Sequence, residues 1–226
     1  MIKKSKLIVL AGTDGSGKKT QANLLKKKFI EKNIPAKIIS FPRYGKNSAK
    51  AIEYYLKGEF GTIEEIDPYF ASVLYAHDRF KAKKKITKWL EDGNIVICDR
   101  YVSANEGHQA SKIKDKKQKD VFLNWIHNLE YEIYKIPKPD VNILLYMPYE
   151  IGQKLVDKKG FRNYVGNKRD VHEADSNHLK NAQKNYLYIA KKYNWLKIDC
   201  YKKKEPLPMD VIHQILWKKI STFCSI

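Results

Sequence analysis

The chain has 226 residues and a formal charge of +19, from 44 basic and 25 acidic side chains. At 43% hydrophobic and 12% aromatic it can bury a core, which excludes a disordered chain, and its length suits a single domain over residues 1–226. The apolar runs Leu7–Ala11, Ile95–Cys98 and Ile143–Tyr146 are too short to span a bilayer, and the basic start Met1–Leu7 precedes too brief an apolar run for a secretory signal. Three cysteines make no disulfide framework, so a reducing, cytoplasmic setting is expected. The charge invites a nucleic-acid reading. However, only five of the basic residues are arginine, and the lysines scatter in groups such as Lys26–Lys28 without aromatic interleaving. Solvated helix faces explain them better. Against that background each arginine marks a place where a planar, two-pronged donor is needed for phosphate or carboxylate.

Taken in order, five apolar, β-branched runs alternate with helical stretches. Leu7–Ala11 is the first strand, followed by a glycine-rich turn and a helix to about Glu31. Ala36–Phe41 is the second, ended by Pro42. A short helix is expected around Ala49–Leu56. A longer one starts at Asp67-Pro68 and runs to about Glu91, where Gly93 stops it. Ile95–Asp99 is the third strand. A helix from about Asp115 to Tyr134 carries an apolar line at Val121, Trp125, Leu129 and Ile133. Val141–Met147 is the fourth strand. Two helical segments then flank a basic loop, Gly160–Asp170. Trp195–Cys200 is the last strand and Met209–Ile220 a closing helix. The alternation predicts an α/β fold, a five-stranded parallel sheet with helices on both faces and ligands beyond the carboxyl ends of the strands.

The residues at those ends carry the chemistry. Gly12, Thr13, Asp14, Gly15, Ser16, Gly17, Lys18, Lys19 and Thr20 have the spacing of a phosphate-binding loop. Its backbone N–H groups and the following helix N-terminus would cradle the phosphates of ATP, with Lys18 reaching the β- and γ-phosphates. The residue after that lysine normally brings a hydroxyl to Mg²⁺; here it is Lys19, with Thr20 one step late. After the second strand come Phe41, Pro42 and Arg43, an anion-binding arginine at the rim. Tyr75 and Arg79 stand four apart, so one helix face carries a plate for a base and a guanidinium for its edge. After the third strand stand Asp99, a carboxylate placed to hold Mg²⁺, and Arg100, then Asn105, His108 and Gln109 in what reads as a loop. The segment from about 154 to 170, with Arg162 and Arg169, has the character of a lid, and Asp170 and Glu173 follow.

Together these residues resemble a thymidylate kinase, of the P-loop nucleoside monophosphate kinase group, from about Leu7 to Cys200. The resemblance implies that Asp14 lies near the sugar and the transferred phosphate and that Arg43 grips the dTMP phosphate. It implies that Tyr75 stacks on thymine and Arg79 bonds its carbonyl edge. Asp99 and Arg100 match the pair at metal and phosphates, and Asn105 and Gln109 the stretch lining the acceptor, to which Phe41 and Pro42 also belong. His108 replaces a tyrosine that guards the deoxyribose. Some members carry an arginine at the position of Gly15; this chain resembles the others, which draw it from the lid, here Arg162 or Arg169. The metal set would be Asp14, Asp99 and Glu173. The implied activity is ATP- and Mg²⁺-dependent phosphorylation of dTMP to dTDP for DNA synthesis by a cytoplasmic homodimer.

Other readings share parts of this pattern. A deoxynucleoside kinase would need a carboxylate base where Arg43 stands. Another nucleoside monophosphate kinase would differ in acceptor base. A nucleotide binder with degenerate catalysis is motivated by Lys19, and a non-catalytic nucleic-acid-binding protein by the charge.

Overall fold

The structure is a computed structural model, and it describes residues 5–157 and 175–226. The apolar runs form five strands: β1 Lys6–Ala11, β2 Ala36–Ser40, β3 Ile95–Asp99, β4 Val141–Tyr146 and β5 Leu196–Asp199. All neighbours pair in parallel in the order β2-β3-β1-β4-β5. Alternate residues of each strand point to opposite faces. Leu7, Val9, Val96, Cys98 and Leu144 therefore enter one core, and Ile8, Leu10, Ile97, Ile143 and Leu145 the other.

Helices cover both faces, as the sequence led us to expect. Among the described residues they are α1 Lys18–Glu31, α2 Lys50–Leu56, α3 Pro68–Glu91, α4 Val102–His108, α5 Lys116–His127, α6 Tyr149–Asp157, α7 Ser176–Lys192 and α8 Met209–Cys224. Ala22, Leu25 and Phe29 of α1 pack with Ile212, Leu216 and Ile220 of α8 on one face. Residues of α3, α4, α5 and α7 cover the other. After β1 the chain crosses to one edge of the sheet, and after β3 to the opposite side. The loops leaving these adjacent strands therefore part, and a crevice opens at their carboxyl ends.

Asp67 caps α3 as its sequence position implied: its carboxylate accepts from the backbone N–H of Tyr69 at 2.8 Å and of Phe70 at 3.0 Å, with Pro68 as first helical residue. Three expectations need correction. The line Val121, Trp125, Leu129, Ile133 is not the buried face of α5. Val121 and Ile133 are 61% and 62% exposed, while Phe122, Leu123 and Ile126 are buried. Four residues overshoot one 3.6-residue turn by about 40°, so three such steps carry the line a third of the way round the helix. Regular α-helix also ends at His127, and a π-helical turn, Asn128–Ile133, replaces its expected last turns. Finally, His108 is not in a loop. It closes α4, a seven-residue helix almost wholly buried. A two-stranded hairpin, β6 Tyr201–Lys202 with β7 Glu205–Pro206, was also absent from the sequence reading.

Candidate active site

The loop after β1 is shaped by two glycines that nothing else could replace. Gly12 has φ +138° and Gly15 φ +78°, both in the region L side chains avoid. A Cβ on Gly12 would lie 2.5 Å from the Leu145 carbonyl oxygen, and one on Gly15 would lie 2.1 Å from that of Gly152 in α6. The arginine that the resemblance allows at the Gly15 position therefore has no room here. Lys18 opens α1 and curls inward, its ammonium donating to the carbonyls of Gly12 at 2.9 Å and Thr13 at 2.8 Å. Its charge sits where the N-terminus of α1 also favours an anion. Lys19 is exposed and Thr20 half-buried beside it.

A cleft of about 330 Å³ begins at this loop and extends over the ends of β2 and β3. It brings together Asp14, Gly15, Gly17, Lys18, Lys19 and Thr20 with Phe41, Pro42, Tyr75, Arg79, Asp99, Arg100, Asn105, His108 and Gln109. Most residues singled out in the sequence thus meet in one place, although they come from five separate segments. Gly12, Thr13 and Ser16 belong to the loop but do not line the cleft, and neither does Arg43. Arg162, Arg169, Asp170 and Glu173 lie outside the described residues.

Charge pairing organises the cleft. Arg100 holds φ +65°, an uncommon backbone for a bulky residue, fixed by its N–H donating to the Leu10 carbonyl at 3.1 Å. From there its guanidinium ion-pairs with Asp14. Burial works against the charge on Asp14, but Arg100 and Lys18 outweigh it and hold the carboxyl far below the usual range. Asp14 is therefore an anion at every working pH, with its Oδ1 engaged by Arg100. Asp99 differs. It is buried at the end of β3, and its Oδ1 has no hydrogen-bond partner among the described residues. An orphaned buried carboxylate oxygen is a donor for a hard cation. No group of three candidate metal ligands occurs among the described residues, so an ion here would take most of its ligands from phosphate and water.

Arg43 was expected to face the acceptor. In the structure its Nε donates to Asp78 Oδ1 at 3.0 Å, its backbone N–H to Asp78 Oδ2 at 2.8 Å, and its Nη2 to Ser48 Oγ at 2.9 Å. Asp78 is fully buried, and Arg43 keeps 20% of its side chain exposed at the rim. Arg79 lies in the interior rather than at the surface. It is 1% exposed and gripped by Glu130, a residue the sequence did not point to. Burial opposes the charge on Arg79, but Glu130 more than compensates and keeps it protonated. Tyr75, one turn earlier on α3, lies edge-on against Tyr55 at 6.3 Å. Asn105 donates its amide to the Ser72 carbonyl at 3.1 Å, and Gln109 Oε1 is buried without a partner among the described residues.

His108 is 8% exposed, stacked on His178 of α7 with Nδ1 3.4 Å from His178 Nε2, and set edge-on to Tyr186. Burial, with His178 beside it, pushes its pKa down to about 3, so the ring is neutral in use. The sequence also missed Tyr44, Leu56 and Val156, which line the cleft. Their types carry no chemical signal.

The family model described as Thymidylate kinase matches residues 10–210. The chain is 30% identical to a thymidylate kinase of Mycobacterium tuberculosis (strain CDC 1551 / Oshkosh) over 75% of this chain and 78% of that one. It is 26% identical to a thymidylate kinase of Plasmodium falciparum over 96% and 93%. A solved thymidylate kinase structure from Candida albicans superposes with a TM-score of 0.73 at 23% identity, covering 97% and 92% of the two chains.

Proposed function

The chain belongs to the thymidylate kinase family, and on that premise we propose that it transfers the γ-phosphoryl group of ATP to dTMP, giving dTDP and ADP for DNA synthesis. The observation that carries this is the single cleft joining the phosphate loop to the corner made by Tyr75, Arg79 and Gln109. One end suits a polyphosphate. The other offers an aromatic plate, a guanidinium donor and an unpaired carboxamide oxygen, which complement a base bearing a carbonyl next to an N–H.

In this reaction an oxygen of the dTMP phosphate attacks the γ-phosphorus as the bond to the β,γ-bridging oxygen breaks. The attacking oxygen already carries charge, so no general base is needed. The chain's contribution is placement and neutralisation. Lys18 lies where the β- and γ-phosphates would sit. Arg100 leaves Asp14 in part to meet the transferred group, and Asp14 keeps that arginine in place between turnovers. Arg43, released from Asp78 and Ser48, reaches the acceptor phosphate from the rim. Mg²⁺ bound by Asp99 with phosphate oxygens and water would spread the charge of the transferred phosphoryl group. Arg162 and Arg169 are the arginines available to a lid over 154–170.

The same reading includes a homodimer and a cytoplasmic setting. Phe70, Val73 and Phe80 are 49%, 38% and 40% exposed on one side of α3, an apolar face that a second copy would cover. The three cysteines are free, and no helix among the described residues is long and apolar enough to cross a membrane.

A panel of dTMP, dUMP, dCMP, dGMP, UMP and thymidine, each with Mg·ATP, tests the activity. Turnover should be fastest with dTMP and absent with thymidine. Faster phosphorylation of thymidine would overturn the reading, because Arg43 answers a phosphorylated acceptor.

A further inference from the structure

Arg79 and Glu130 form an ion pair sealed inside the protein. Their side chains are 1% and 0% exposed. Nε of Arg79 donates to Glu130 Oε2 at 2.6 Å and Nη2 to Oε1 at 2.7 Å, a side-on, two-pronged grip. Nη1 donates to the Tyr101 carbonyl at 3.2 Å. A guanidinium has five N–H donors and no acceptor. Three are engaged, which leaves one on each terminal nitrogen. Arg79 lines the cleft with Tyr75 one turn before it, so those two donors are what it presents there.

The partner is held as firmly as the arginine. Glu130 sits in the π-helical turn after α5, and its carbonyl accepts from the Ile136 N–H at 3.0 Å. Isolated π-turns inside helices are frequent at functional sites. A buried ion pair is also a poor way to fill space. Apolar side chains of similar volume would avoid the desolvation penalty of both charges, so stability alone does not account for this pair.

We propose that Glu130 is the positioning residue for acceptor-base selection: its grip fixes Arg79 as a donor-only edge, which admits a 4-oxo pyrimidine and rejects a 4-amino one. The inference rests on the reading that Arg79 faces the acceptor base. A carbonyl oxygen at that place receives the two remaining N–H groups. An amino group there sets donor against donor, and neither side can turn away, because Glu130 and Tyr101 hold three corners of a rigid plane. Glu130 itself touches no substrate.

The test is kcat/KM for dTMP and dCMP with the full-length enzyme and saturating Mg·ATP, for wild type and Glu130→Gln. Wild type should favour dTMP by at least about 100-fold, well inside the roughly 10⁴–10⁵-fold that a site built to bond a substrate's polar group can reach. Glutamine offers Arg79 one acceptor oxygen and one repelling NH₂, so the plane is released. The dTMP:dCMP ratio should fall at least about tenfold while KM for ATP stays within about twofold. Should Glu130→Gln not fold, Glu130→Asp keeps the charge but withdraws it by one methylene, and the ratio should again fall. An unchanged ratio in whichever variant folds, with both substrates losing equally or neither losing, makes Glu130 a purely structural residue and overturns the proposal. So does a wild-type enzyme that accepts dCMP as well as dTMP, a measurement that needs no variant. Absence of any dTMP turnover by wild type would instead sink the kinase reading, and this one with it.

Discussion

His108 should make the enzyme acid-sensitive, by an amount the structure lets one work out. Its ring is 8% exposed, stacked on His178 and walled by Tyr186, and its pKa is pushed from 6.5 to about 3. Between those values the unfolded chain binds a proton that the native state refuses. Stability is therefore fully present above pH 6.5 and is lost as the pH falls towards 3. At pH 5 the unfolded state gains 1.5 pH units of proton binding at about 1.4 kcal/mol per unit, so this one histidine should lower stability by about 2 kcal/mol relative to neutral pH. The assay is urea unfolding of wild type and His108→Gln at pH 7.5 and pH 5.0. Carboxylates and the remaining histidines titrate in both proteins and cancel in the comparison. The variant, whatever its own stability, should lose about 2 kcal/mol less than wild type on acidification. Equal losses in the two proteins would show that the ring accepts a proton where it stands, and the burial argument would fail.

Arg43→Lys replaces a fork by a point charge, and KM for dTMP should rise by the equivalent of about 1.5–3 kcal/mol with KM for ATP unchanged in steady-state kinetics; an unchanged dTMP KM would remove Arg43 from the acceptor clamp. Tyr75→Ala should weaken dTMP binding far more than ATP binding by calorimetry, since Tyr75 lines the cleft at the end proposed for the acceptor; equal losses would mark a packing tyrosine. In a Mg²⁺ titration of activity, Asp99→Asn should sharply reduce turnover and shift the metal dependence, whereas Lys19→Ser should change little, because Lys19 is exposed and has no oxygen to offer. Asp99→Asn with a wild-type Mg²⁺ response would place the metal elsewhere.

How much of this was legible depended on the range of the interaction that decided each feature. The third strand, Ile95–Asp99, and the capped start of α3 at Asp67-Pro68 were read to the residue, since apolar runs, Pro and a short acceptor act over a few positions. The loop Gly12–Thr20 was legible because its backbone chemistry demands glycines at set spacings. α4 was not. It is seven residues long, contains Gly107, and owes its place to tertiary packing: a Cβ on Gly107 would sit 2.1 Å from the Tyr186 ring, nearly 80 residues away. Glu130 was invisible for the same reason. It lies 51 residues from Arg79, and on a helix it reads as one more solvated carboxylate. Arg43 could be picked out by scarcity, but its link to Asp78 depends on how β2 and α3 cross, which no local pattern encodes.

Three of the five arginines are therefore placed by carboxylates, and the depth of each pair decides what its arginine can do. Arg43 and Arg100 keep 20% and 24% of their side chains exposed, and Asp14 is equally accessible. Both guanidiniums reach water, so an arriving phosphate dianion can compete for them; Asp78, although fully buried, still accepts from the Arg43 backbone N–H and the Ser48 hydroxyl when the Arg43 side chain leaves it. Arg79 and Glu130 are sealed, and parting them would leave a bare charge in the interior at a cost of about 3–5 kcal/mol. That arginine does not exchange; it can only present the donors Glu130 leaves it. In a chain of net charge +19, long-range attraction draws any nucleotide. On the proposed reading, selection comes from the fixed edge of Arg79, and release from the pairs of Arg43 and Arg100, which can part and reform.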